Sequence, residues 1–181
     1  MRQSISLFLG ILFFLTGCNQ QLSVTVSDPV DYVNPYMGNI SHLLVPAYPT
    51  VHLPNSMLRV YPERNDYTGD VLSGLPIVVT SHRGSSAFNL SPYRGDMEGL
   101  QPVVQYSYDN EKITPYSDSV YLDDYGIDVR FALSHQSAVY SLGFSGKENT
   151  FLVLNSRNGA LRWDGTAVSG YQQLANNTKV Y

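Results

Sequence analysis

Short apolar runs of period two recur along the sequence, and this pattern constrains the fold more than any other feature. Between residues 127 and 133, Ile127, Val129, Phe131 and Leu133 alternate with polar or small residues. Alternate side chains of a strand point to one face, so these four would share a buried face. Clusters of Gly, Pro, Asn and Asp separate the runs, and helical periodicity is absent beyond residue 18. The pattern predicts an all-β fold, an antiparallel β-sandwich with long loops.

Individual strands follow from the same pattern. Residues 117–134 are predicted as the clearest hairpin, and residues 75–80 form an apolar run expected to be buried on both faces. Residues 103–108 and 112–114 are predicted as strands on either side of an Asp109–Asn110 turn. Further strands are predicted at 22–26, 57–61, 138–144 and 150–154, and long ordered loops at 29–54 and 63–74.

Composition agrees with this fold class and excludes others. Charged residues make up 14% of the 181-residue chain, hydrophobic residues 43% and aromatic residues 12%. The aromatic content excludes a disordered chain, and the low charge excludes a long helical bundle. The net charge of −4 disfavours nucleic-acid binding, because the chain lacks a basic surface for a phosphate backbone.

The N-terminus resembles a bacterial lipoprotein signal. Met1-Arg2 precedes an apolar stretch at residues 5–15 that is too short to cross a bilayer but has the length of a secretory signal core. The following Leu15-Thr16-Gly17-Cys18 is similar to a lipobox, in which the signal is cut before an acylated cysteine. We expect a signal-peptide helix at 1–17, a lipidated Cys18 and a tether to residue 28. The chain would then be an outer-membrane lipoprotein facing the periplasm or the cell surface. The alternative is a generic signal peptide with an incidental cysteine, although Cys18 is the only cysteine present.

Titratable residues form no recognisable catalytic or metal-binding motif. No histidine has metal-ligand spacing, and neither a nucleophile elbow nor a phosphate-binding loop occurs. Asp66 and Asp70 flank Tyr67, and two interpretations stay open for them: a carboxylate pair for glycosidase acid–base chemistry, or turn formation. The histidines are His42, His52, His82 and His135.

The most suggestive polar cluster is the segment 80–86, in which His82 and Arg83 follow the apolar run. A rigid strand that delivers polar side chains into a loop is a common way to build a site. Such side chains suit the binding of neutral sugars; alternatively, His82 and Arg83 brace the sandwich against a neighbouring domain. Candidate aromatic faces for a sugar ring are Tyr36, Tyr48, Tyr67, Phe88 and Trp163.

Five segments, in order, resemble those of one known enzyme family. Residues 31–38 (DYVNPYMG) are similar to the VNPFIG opening of glycoside hydrolase family 92, and residues 49–62, with PNSMLRVYP at 54–62, to its FPGATVPFGMVQLSP segment. Residues 81–85 (SHRGS) stand where the family has GFSHTHLSG. Residues 119–127 (SVYLDDYGI) resemble its recurrent hairpin, and residues 158–171, with SGY at 169–171, resemble its later ISGY strand. The resemblance covers residues 31–181.

The resemblance implies a calcium-dependent exo-α-mannosidase that acts on glycans by inversion. In that family a β-sandwich N-terminal domain packs on an (α/α)6 barrel, which supplies the catalytic carboxylates and the Ca²⁺ ligands. Residues 29–181 would be that N-terminal domain and one wall of the mannose pocket, without a catalytic residue, metal or cofactor of its own. The residues expected to contact the sugar are Gly38, Asn39, Ser41, His42, His82 and Arg83.

Two other functions stay open. A non-catalytic carbohydrate-binding lipoprotein would feed an uptake system, and a decayed gene product would expose an apolar face. Residues 176–181 begin like a strand without a cap, so we expect a truncated chain that lacks the catalytic barrel. A reading frame that continues past Tyr181 would favour the enzyme, and a true stop beside transporter genes would favour the binding protein.

Overall fold

Strands make up most of the regular structure. The computed structural model describes residues 28–39, 47–64, 69–80, 86–175 and 177–181. Its three short 3₁₀ helices are Pro29–Tyr32, Met97–Gly99 and Asp123–Tyr125. Its strands are β1 (Val71–Leu72), β2 (Leu75–Val79), β3 (Ser86–Arg94), β4 (Tyr106–Ile113), β5 (Ser117–Leu122), β6 (Ile127–Leu133), β7 (Ala138–Phe144), β8 (Thr150–Asn155), β9 (Gly159–Trp163), β10 (Val168–Gln173) and β11 (Lys179–Val180).

These strands form three antiparallel sheets. The largest has the order β1-β4-β5-β6-β7, and the smaller two have the orders β2-β3-β8 and β11-β10-β9. The predicted all-β antiparallel architecture is therefore confirmed. The predicted signal peptide, Cys18 and the tether up to residue 27 lie outside the described residues. Within the described ranges, no helix is both long and apolar enough to cross a membrane.

The largest sheet carries much of the core on one face. Ile127, Val129, Phe131 and Leu133 of β6 are at most 9% exposed, as their alternation predicts. Val120 of β5 is the cross-strand partner of Val129 and is buried on the same face. Because apolar burial contributes about 25 cal/mol per Å², this face dominates the stability of the sheet.

Several predicted strands are confirmed and others are wrong. Strands β5 to β8 lie where the sequence predicts them, and the β5–β6 hairpin turns through Asp123–Tyr125. At 57–61 the prediction is wrong, because the only β-pairing of this segment with another described residue is an isolated bridge between Val51 and Val60. The apolar run at 75–80 is a strand, but Ile77 and Val78 are only half-buried, so burial on both faces is incomplete.

The predicted Asp109–Asn110 turn is also wrong, because β4 continues through it. The pairing of β4 with β5 shifts register between Asp109 and Lys112, which marks a β-bulge. Asn110 adopts a positive φ of 54° and so accommodates the extra residue without ending the strand. Asparagine tolerates this conformation better than most residues, which explains how one sequence signal fits both a turn and a bulge.

Sequence reasoning missed β3, the central strand of its sheet. Pro92 lies inside β3, and Phe88 has a positive φ of 58° in the middle of the pairing with β2. Positive φ is costly for a bulky residue, so this irregularity needs support from neighbouring residues.

Gln172 of β10 supplies part of that support. Its side-chain carbonyl accepts a hydrogen bond from the Phe88 N–H at 2.7 Å, and its amide donates to the Ser86 carbonyl at 3.1 Å. One buried side chain thus acts toward β3 as a short strand would. It links the β2-β3-β8 sheet to the β11-β10-β9 sheet.

Candidate functional site

A tight turn at residues 35–39 contains the first two residues predicted to contact a sugar. The Asn34 side chain accepts a hydrogen bond from the Tyr36 N–H at 3.0 Å, and the Asn39 N–H donates to the Tyr36 carbonyl at 3.1 Å. Gly38 has a φ of +87°, and its carbonyl accepts a hydrogen bond from the Ala47 N–H at 3.0 Å. The turn therefore requires glycine for its conformation, and it joins the two ends of the segment 40–46.

Asn39 is buried rather than presented to solvent. It is 8% exposed, and its side-chain Oδ1 has no hydrogen-bond partner among the described residues. A buried acceptor that lacks a hydrogen-bond partner costs free energy.

Tyr36 anchors the turn on the bulged strand β4. Its hydroxyl accepts a hydrogen bond from the Ile113 N–H at 3.4 Å and lies 3.5 Å from the Glu111 carbonyl, to which it donates. Burial and the nearby negative charge of Glu111 raise the pKa of Tyr36. The hydroxyl therefore stays protonated and keeps both contacts at physiological pH.

The bulge also allows Glu111 to meet Arg64 inside the protein. Their side chains are 9% and 2% exposed, and both guanidinium Nη atoms bond to the carboxylate, with Nη1 to Oε2 at 3.2 Å. Burial opposes the charge of Arg64, but the hydrogen bond and charge of Glu111 outweigh it and raise the arginine pKa. A buried bidentate pair of this kind is geometrically specific, and removing one partner leaves the other charge buried and unpaired.

Tyr108 extends this cluster to both sides of the segment 65–68. Its hydroxyl accepts a hydrogen bond from Arg64 Nη1 at 3.1 Å and donates to the Gly69 carbonyl at 2.9 Å. The Arg64 guanidinium also lies 5.1 Å from the centroid of the Tyr108 ring, within the range of a cation–π contact. One side chain thus fixes residues 64 and 69 relative to each other. Asp66 and Tyr67 lie outside the described residues, and Asp70 is exposed.

Asp118 is a buried carboxyl group that sequence reasoning did not single out. It is 2% exposed, and neither carboxyl oxygen has a hydrogen-bond partner in the described ranges. Burial, followed by the charge of Glu111, raises its pKa from 3.8 to about 8. Asp118 shares its face of the sheet with Phe131 and Tyr140. Sealed from solvent, it is unsuited to exchange protons with a substrate. The sequence signal for this buried carboxyl was the alternation along β5, in which Asp118 occupies the same inward-facing register as Val120.

An apolar groove of about 570 Å³ lies between the two smaller sheets. Trp163, one of the candidate aromatic faces, is 63% exposed on β9 and does not line the groove. Tyr48, another candidate, instead stacks on Tyr61 with ring centroids 5.0 Å apart. The apolar lining residues are Ile77, Phe88, Leu154, Leu161, Val168, Tyr171 and Tyr181.

The structure therefore tests only part of the predicted site. Gly38 and Asn39 lie side by side in the Tyr36-anchored turn. Ser41, His42, His82 and Arg83 lie outside the described residues, so their predicted proximity stays a prediction. Among the residues that the structure describes, no group of three or more His, Cys, Asp or Glu side chains could hold a metal ion.

Comparison with known proteins gives one family. The model of the glycosyl hydrolase family 92 N-terminal domain matches residues 32–181. No curated protein matches the chain by sequence.

Two solved structures have the same fold. The chain is similar to the family GH92 inverting mannosidase BT2199 from Bacteroides thetaiotaomicron, with 24% identity and a TM-score of 0.66 over 81% of this chain and 23% of that one. It is also similar to the family GH92 α-mannosidase BT3965 from the same organism, solved with mannoimidazole, with 21% identity and a TM-score of 0.64. That match covers 78% of this chain and 22% of the relative. The chain thus spans about a quarter of the length of these two proteins.

Proposed function

Because this chain belongs to the family of the glycosyl hydrolase family 92 N-terminal domain, we propose that it serves as that domain in a secreted, lipid-anchored, α-mannosidase-like glycoside hydrolase. The observation that carries the proposal is the family match over residues 32–181, which includes every strand described above. In this role the chain forms one wall of a sugar pocket, and an (α/α)6 barrel completes the pocket.

The anchored turn at 35–39 supports a pocket-wall role. Tyr36 holds the turn on β4, and Tyr108 and Arg64 hold the residues around the segment 65–68 on the same strand. Rigid support of this kind is what a loop needs in order to position polar groups against a ligand. We propose that Gly38 and Asn39 contact the sugar together with Ser41, His42, His82 and Arg83.

The proposal assigns the chemistry to the barrel. Inversion needs two carboxyl groups roughly 6.5–9.5 Å apart, with room for a water molecule. Asp118 is buried in the core and Glu111 is paired with Arg64, so neither suits a role as one of the two catalytic carboxyl groups. We therefore place the catalytic acid and base, and the Ca²⁺ that the resemblance implies, on the barrel domain.

The decisive experiment compares this chain with the complete product of its reading frame. We expect the complete protein to release mannose from an α-mannan and to lose activity with a calcium chelator. The 181-residue chain alone should release none. Mannose release by the chain alone, or none by the complete protein, would contradict the proposal.

Substitutions then test the pocket wall. His82→Ala and Arg83→Ala in the complete protein should each lower kcat/KM by about tenfold or more, the effect of a lost polar contact in the transition state. His135→Ala is the matched control, because His135 is exposed in the loop between β6 and β7. Equal effects of all three substitutions would argue against a sugar contact.

Lipidation and location form a separate part of the proposal. We propose that Cys18 carries the acyl chains that hold the protein at the outer membrane. Radiolabelled palmitate should enter the wild-type protein and not Cys18→Ser, which should move to the soluble fraction. Labelling of Cys18→Ser would disprove this anchor and leave the glycan proposal intact.

A further inference from the structure

Two cations and two serines form a row across the solvent face of the largest sheet. Lys112, Ser119, Arg130 and Ser141 are successive cross-strand partners on β4, β5, β6 and β7. Neighbouring strands lie about 4.8 Å apart, so the backbones of Lys112 and Arg130 are about 10 Å apart with Ser119 between them. Both long side chains are exposed and can reach the space above that serine.

A surface depression of about 380 Å³ lies over this row. The depression is also lined by Thr114, Tyr116, Ser117 and Val139, and Tyr116 contributes a 43% exposed aromatic side chain. Small side chains along the sheet leave the depression open, and the residues around it, apart from Asp118, are hydroxyl-bearing, cationic or apolar.

Neither cation forms an ion pair among the described residues, and the nearest acid on this face is Asp128, two positions from Arg130 on β6 and beside it in a neighbouring depression. In the described ranges, ion pairs are formed by Arg64, Arg94 and Arg157. Asp118 is the one acidic residue among those lining the depression, and its side chain is buried on the opposite face of the sheet. Burial raises the pKa of Asp118 to about 8, so it adds little negative charge beneath the site at neutral pH.

We propose that this depression, the Lys112–Arg130 site, binds a phosphate or sulfate group carried by a sugar. A tetrahedral oxyanion matches two converging cations, since charge-assisted hydrogen bonds from Arg and Lys are the strong ones. The hydroxyls of Ser119 and Ser141 supply further donors, and Tyr116 offers a face for the sugar ring. The oxyanion part follows from the sheet alone, whereas the sugar part rests on the proposed function.

The test is a titration of the purified chain, followed by backbone amide NMR, with mannose 6-phosphate, mannose and inorganic phosphate as separate ligands. We expect saturable shifts at Ser119, Arg130 and Ser141 with mannose 6-phosphate, weaker binding of phosphate, and none of mannose. Affinity should fall as salt is raised, because both cations are exposed.

Lys112→Gln and Arg130→Gln should each weaken binding by about tenfold or more while the spectrum remains that of the folded chain. Arg162→Gln and Lys147→Gln are the matched controls, because both are exposed cations outside the depression. Equal weakening by the controls, or binding of mannose as tight as that of its phosphate, would overturn the site. Equal affinity for inorganic phosphate would overturn the assignment to a sugar. Mannose release is not measured here, so the outcome is separate from that of the proposed function.

Discussion

At the scale of single residues, buried charge distinguishes the interior of this chain. Arg64 and Glu111 form an ion pair with little exposure to solvent, while the Asp118 carboxyl is buried nearby without a described partner. Buried ions persist only when paired or neutralised. Arg64 and Glu111 compensate each other's charge by pairing. Asp118 is instead neutral because it keeps its proton, since its pKa is raised to about 8.

Removing one member of the pair should be costly. Glu111→Gln leaves the Arg64 guanidinium buried with reduced compensation, so the free energy of unfolding should fall by about 3–5 kcal/mol. Urea denaturation measures this change. The matched control is Glu148→Gln, which breaks the solvent-exposed pair with Arg94 and should leave the midpoint nearly unchanged. Similar losses in both variants would contradict the importance of burial.

Asp118 predicts an unusual dependence of stability on pH. Between pH 3.8 and about 8 the folded chain holds a proton that the unfolded chain has released, so the free energy of unfolding falls as pH rises through this window. Asp118→Asn should flatten that slope and should be relatively more stable near pH 8. Thermal unfolding across the window measures it, with the exposed Asp128→Asn as control. A wild-type slope that Asp118→Asn leaves intact would refute the assignment.

At the scale of elements, sequence patterns located strands where alternation and burial agree. In β6 every large apolar residue is buried, so period two alone sufficed. It failed at β3, where Pro92 and the positive φ of Phe88 are tolerated only because contacts distant in sequence compensate. The turn predicted at Asp109–Asn110 is wrong for a related reason, since the same residue types suit a turn and a bulge.

The site was predictable to a smaller extent. The Pro35–Asn39 turn could be expected from its Asn, Pro and Gly residues. Its support by Tyr36, and the joining of Arg64 to Gly69 by Tyr108, depend on pairs separated by tens of residues. No local pattern encodes such partners, because they meet only after the sheet has formed.

The link from Gln172 to β3 makes a prediction at this scale. Gln172→Ala leaves the Phe88 N–H and the Ser86 carbonyl without this partner, which should cost about 1–3 kcal/mol. Hydrogen exchange of the Phe88 amide should accelerate more than that of amides in β6. The neighbouring Gln173→Ala removes only a contact with the Asn177 side chain and should have little effect. Unchanged exchange in Gln172→Ala would rule out this support.

At the scale of the whole molecule, the three sheets differ in how well they are covered. The largest sheet has a sealed core on one face, whereas the two smaller sheets border the open apolar groove. Exposed apolar surface of this kind marks a contact site in most soluble proteins. It is consistent with a domain that functions beside another.

The groove should bind an apolar dye. Anilinonaphthalene sulfonate should fluoresce with the folded chain, and Val168→Gln should reduce the signal several-fold, because Val168 lines the groove. Val71→Gln is the matched control, since Val71 is exposed on β1 of the largest sheet and lines neither the groove nor the Lys112–Arg130 site. Equal signals from the two variants would show that the dye binds elsewhere.

The bridge made by Tyr108 affects how freely the segment 65–68 can vary. Because its hydroxyl contacts both Arg64 and Gly69, the two residues that flank the segment 65–68 are held together by one side chain. We therefore expect the four intervening residues to tolerate substitution and changes of length, because the contacts that hold Arg64 and Gly69 lie outside them. A library of sequences placed between these two positions would test that tolerance.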